Sequence, residues 1–119
     1  YYNSDTLRAT GFPMIADSVW MMTGEKYYEG TEAAKSMNTI AWLTPDYPPV
    51  FIDCGDKDSF LSQAQEMIAA LEGQGIEVTS FLPSTTTFPL IHEFQVRLNL
   101  PEAVAALEKL AGFLGEKSK

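Results

Sequence analysis

Apolar residues recur along this chain with two different periods, and the switches between those periods mark out its elements. From Pro13 to Thr23, Ile15, Val19 and Met22 share one helical face, which Met14, Trp20 and Met21 broaden. Pro13 suits the first turn of that helix and Gly24 its end. Residues 1 to 11 are polar and carry no periodic signal, and residues 25 to 47 read as an irregular connection with a helical turn near Thr31 to Met37. Pro48 and Pro49 close that connection and admit an extended segment. Val50 to Cys54 is a mostly apolar run ending at Gly55, the pattern of a strand covered on both faces. Leu61, Ala64, Met67, Ile68 and Leu71 return to helical spacing, so a helix is expected over residues 60 to 73. Ser62 and Gln65 have the spacing of a capping box, and Gly73 and Gly75 are the stop. Ile76 to Leu82 alternates, with Ile76, Val78, Ser80 and Leu82 on one side, as a more exposed edge strand does. A Ser/Thr-rich loop over residues 83 to 92 follows. Asn99, Pro101 and Glu102 then start a last helix, with Val104, Leu107, Ala111 and Leu114 facing inward and Gly115 at its end.

The order helix, strand, helix, strand, helix predicts an α/β architecture. Its two strands are parallel, joined by a right-handed helical crossover. Two strands rarely form an independently stable sheet. The free edge of the first strand therefore calls for a neighbour, either a second copy of the chain or a missing N-terminal half. Alone, the chain is expected to self-associate.

Sixteen acidic against eight basic residues give a net charge of −8, which repels phosphate backbones and argues against nucleic acid as a partner. No apolar run approaches the roughly 20 residues that span a bilayer. The single cysteine, Cys54, lies within the apolar strand; it reads as a buried, inert thiol and leans toward a reducing, cytoplasmic setting. The chain starts at Tyr1, which suggests that its natural N-terminus, with any targeting signal, is absent and leaves localisation open.

Two residues stand out chemically. Asp58 closes the run of residues 48 to 58, which carries the first strand and the Gly55 turn after it, and His92 follows 34 residues later in Ile-His-Glu-Phe. A carboxylate at a strand end can orient an imidazole from a later loop, and that imidazole can act as general base toward a hydroxyl. Blander roles exist for both: Asp58 as a helix N-cap, His92 as a structural histidine. Asp56 is a rival acid, otherwise a solvated turn residue. Asp53, Asp56 and Asp58 lack the regular ligand series of a calcium loop, and one His offers no zinc set, so no metal or other cofactor is expected. Ser59, Ser62 and Ser84 to Thr87 sit in no nucleophile elbow, and the sequence contains no Gly-x-Ser-x-Gly. Phe12, Trp20, Met21, Met22 and Trp42 could line an acyl pocket or simply pack.

Residues 37 to 114 resemble the C-terminal part of the α/β-hydrolase superfamily, in its esterase/lipase and acyl-peptidase branch. The resemblance lies in Pro48-Pro49 before an apolar strand, Gly55-x-x-Asp58 at its end, and a helix running into Gly73-Gln74-Gly75-Ile76. His92-Glu93-Phe94 at the right distance and a final amphipathic helix complete it. It implies that the strands are the last two of a parallel sheet, with Asp58 the triad acid and His92 the triad base. Residues 1 to 47 would then form a helical cap or insertion with its connection, and residues 48 to 119 the core. Trp20, Met21 and Trp42 would be pocket walls. The implied activity is hydrolysis of a small acyl ester or peptide-like substrate through an acyl-enzyme, with the serine and oxyanion hole in the missing half. The alternative is a non-catalytic α/β module that associates through its open sheet edge.

Overall fold

The computed structural model describes residues 3–4 and 6–119. Its regular elements are α1 (Pro13–Thr23), α2 (Glu32–Ser36), β1 (Val50–Asp53), α3 (Leu61–Gly73), β2 (Val78–Phe81) and α4 (Pro101–Lys117). Short 3-10 turns cover Leu7–Thr10, Thr39–Trp42 and Phe94–Val96. The two strands pair in parallel with Val50 opposite Val78 and Asp53 opposite Phe81. Val50 and Cys54 donate their amides toward the second strand, to Glu77 and Phe81. In a parallel ladder the intervening residues, Phe51 and Asp53, then turn their backbone groups to the opposite edge.

Each face of this ribbon has its own helix. Ile52 and Cys54 pack with Ala64, Met67 and Leu71 of α3 and with Ile76, joined by Val50, Val78 and Leu82. Phe81 packs with Leu90, Phe94, Ala103 and Ala106 on the α4 side, and Phe51 meets Phe113 with ring centroids 5.9 Å apart. The alternation of Ile76 to Leu82 therefore has its physical counterpart: one parity faces α3 and Phe81 faces α4. The fold class is α/β as expected, with one parallel strand pair, a helical crossover and a terminal helix.

Four expectations change. First, Val104, Leu107 and Leu114 are not the inward face of α4; they are 40%, 52% and 56% exposed, while Ala103 and Ala106 are buried. The small alanines let the helix approach the Leu90–Phe94 loop closely, and the larger residues are left on the adjacent stripe. Gly115 does not end α4 either; the helix runs to Lys117, whose ammonium pairs with Glu77 at 2.6 Å. Second, α3 carries no capping box: Ser62 lies inside its first turn, and Asp58 Oδ1 instead accepts the Phe60 N–H at 2.8 Å. Third, α1 buries Ala16 and Val19, whereas Met22 is exposed along with Met14, Trp20 and Met21.

Fourth, residues 1 to 11 are not structurally silent. Ser4 and Leu7 are fully buried. The Ser4 hydroxyl donates to Ala34 O at 2.8 Å, and the buried Gln63 amide of α3 donates to Asn3 O at 2.6 Å. These are single, non-repeating anchors, invisible to a search for periodicity. Within that segment Tyr1, Tyr2 and Asp5 lie outside the described residues. The helical turn expected near Thr31 is α2, with Thr31 Oγ1 accepting the Ala34 N–H at 3.2 Å. Gly24 ends α1 in the left-handed conformation at φ 74° that glycine adopts without strain.

Candidate active site

The carboxyl ends of both strands point to the same edge of the ribbon, where the connecting loops bring Asp58 and His92 together. His92 Nδ1 lies 3.0 Å from Asp58 Oδ2 and 3.2 Å from Oδ1. The two partners differ sharply in exposure: the Asp58 side chain is 6% exposed and the His92 side chain 50%. Asp58 Oδ1 also accepts the Phe60 N–H. Asp58 is not the N-cap of α3, which is Phe60; its carboxylate bonds the turn before the helix and faces the imidazole at once. With a proton on Nδ1 donated to the carboxylate, Nε2 is left as an acceptor.

Aromatic rings wall the imidazole. The Phe60 ring centroid is 5.2 Å from that of His92, and the Phe12 centroid is 6.1 Å away. Beside them is a cavity of about 320 Å³ whose walls include Ile15, Cys54, Asp58, Phe60, Ala64 and His92. Trp20, Met21 and Trp42 do not line it; they are 41%, 82% and 66% exposed. From α1 it is Ile15 that lines this cavity. Phe60 sits at the site without a sequence signal of its own, and Glu93, part of the His-Glu-Phe run, joins it there. Glu93, directly after His92, holds a left-handed backbone at φ 58°, uncommon for a residue with a side chain.

Electrostatics separate the neighbouring groups. Burial pushes the Cys54 thiol up to about 12, and the charge of Asp58, a thiol hydrogen bond to it and the charge of Asp53 add to this. Cys54 is therefore a neutral wall rather than a thiolate. Burial also raises the Asp53 carboxyl above its ordinary range, partly offset by its own backbone N–H. Asp56 accepts the Leu90 N–H at 3.3 Å. It is a half-buried turn residue that is both bonded and open to solvent. No group of three or more His, Cys, Asp or Glu placed to hold a metal occurs among the described residues. Nor is any helix among them long and apolar enough to cross a membrane.

Two solved structures, both of esterase B from Lactobacillus rhamnosis, are similar to this chain in fold. One, an inhibited form, superposes with TM-score 0.70 at 22% identity, covering 98% of this chain and 38% of its own. The other superposes with TM-score 0.63 at 26% identity, covering 87% of this chain and 33% of its own. The fold matches part of the α/β-hydrolase fold. The chain spans little more than a third of the length of these esterases. No protein-family model and no curated relative matches it.

Proposed function

We propose that this chain supplies the acid and the base of a serine carboxylic-ester hydrolase. Asp58 is the acid and His92 the base, and the nucleophile comes from polypeptide outside these 119 residues. The observation that carries the reading is the 3.0 Å contact between the half-exposed imidazole and the buried carboxylate. In this mechanism Asp58 fixes the tautomer with the proton on Nδ1. His92 Nε2 then takes the proton of a serine hydroxyl as it attacks the ester carbonyl. The same nitrogen returns that proton to the leaving alkoxide, and a water repeats the cycle to release the acid. Residues 1 to 47 serve as a cap, and Ile15 and Phe12 from that segment, with Phe60, give the acyl group an apolar wall. The substrate is a small acyl ester, a choice favoured over a peptide because both similar structures are esterases.

The partner that completes the sheet is the missing N-terminal half of the fold. The outward backbone groups of Phe51 and Asp53 and the exposed stripe Val104, Leu107 and Leu114 support this. A second copy of the chain, in a non-catalytic module, is the competing use of the same edge.

The test is acyl-enzyme trapping with a p-nitrophenyl ester in the full-length gene product. The wild type should gain the mass of one acyl group on a serine, and His92→Ala should not. Equal acylation of both would remove His92 from the mechanism.

A further inference from the structure

We infer that Asp56 is a positioning residue for His92, acting through the backbone of Leu90. The inference rests on the acid–base reading of Asp58 and His92 given above. The two halves of that pair come from different loops, one after each strand. A misplacement of about 1 Å in such a pair can cost about 100-fold in rate, so the loops have to be held together.

Leu90, two residues before His92, is gripped at both of its backbone groups. Its N–H donates to Asp56 Oδ1 at 3.3 Å, and its carbonyl accepts from the Lys57 N–H at 3.1 Å. Its side chain is fully buried against Phe94, Ala103 and Ala106. Gly55 makes the approach possible, because a Cβ there would stand 2.0 Å from the Leu90 oxygen. The turn from Gly55 to Asp58 therefore does two things. Asp56 and Lys57 hold the histidine loop, and Asp58 holds the ring. A carboxylate accepting a backbone N–H makes a charge-assisted bond, stronger than its neutral counterpart. Asparagine keeps an acceptor oxygen at that place and alanine removes it.

His92 is the only histidine, so its ring gives a single set of signals in a ¹H–¹⁵N correlation spectrum of the labelled chain at mildly alkaline pH. The wild type and Asp56→Asn should show one tautomer, protonated on Nδ1. Asp56→Ala should show the two tautomers interconverting, with core signals from Ile52 and Met67 unchanged. Its Leu90 amide should exchange with solvent about tenfold faster or more. An Asp56 that only adds stability would leave the tautomer alone, so a wild-type ring pattern in Asp56→Ala overturns the inference. A wild-type Leu90 amide that exchanges as fast as an exposed loop amide also overturns it, whether or not the variant folds. Neither result touches the ester-hydrolase reading, which depends on the loss of turnover in His92→Ala.

Discussion

His92 Nδ1 stands 3.0 Å from Asp58 Oδ2 across 34 residues of chain, with the acid sealed from solvent and the imidazole half open to it. A buried acid holding an exposed base suits a ring that must be oriented from behind and reached from the front. Asp58→Asn keeps the shape but stabilises the wrong tautomer. If the full-length gene product is the proposed ester hydrolase, this should lower its kcat by about 10⁴-fold. Steady-state ester hydrolysis measures this; a loss smaller than about tenfold would leave Asp58 as no more than a structural residue of the turn before α3.

Gly55 should tolerate no side chain. A Cβ at that position meets the Leu90 oxygen at 2.0 Å and its carbonyl carbon at 2.7 Å, and both are backbone atoms that cannot swing aside. Gly55→Ala should cost about 3 kcal/mol or more by overpacking. Denaturant titration reads this as a lower midpoint, and a midpoint unchanged from wild type would mean that the turn and the histidine loop are not in contact.

The elements with strong local signals were legible in the sequence, and the two residues it singled out, Asp58 and His92, lie in contact. Helix α1 and its Gly24 stop, the β1 run and the alternation leading into β2 each announce themselves within a few residues. What stayed hidden depends on tertiary choice. Periodicity places Val104 and Ala103 on neighbouring stripes of α4 and cannot say which one the sheet takes. The close approach of the Leu90 loop selects the alanines. The anchoring of Asn3 and Ser4 uses one bond each to Gln63 and Ala34, and such bonds leave no pattern in the chain. The same holds for Phe60 beside His92 and for Asp56 on the Leu90 amide.

Cys54 gives the fold a pH signature on the alkaline side. Its folded thiol is pushed up to about 12, whereas the ordinary value is 9.0. Between those values the unfolded chain binds fewer protons than the folded one, so unfolding is favoured progressively. The contribution is fully present below pH 9 and is lost as pH rises toward 12. The slope can reach about 1.4 kcal/mol per pH unit. Unfolding curves at about pH 8 and about pH 10 should diverge more for the wild type than for Cys54→Ala. Parallel behaviour of the two would mean that the thiol is not buried.

The free edge of β1 and the exposed apolar stripe of α4 should make the isolated chain associate. Light scattering should give a mass above that of one chain. Leu107→Glu combined with Leu114→Glu should lower that mass without loss of helix signal, since both side chains are more than half exposed. A clean monomer for the unmodified chain would contradict this.

The most direct test of the central claim is the rate of hydrolysis of a short-chain p-nitrophenyl ester by the full-length gene product, wild type against His92→Ala. The reading of His92 as the base predicts that the folded variant loses turnover by about 10⁴-fold or more, because the imidazole is what activates the serine. Full activity in a folded His92→Ala enzyme would contradict it.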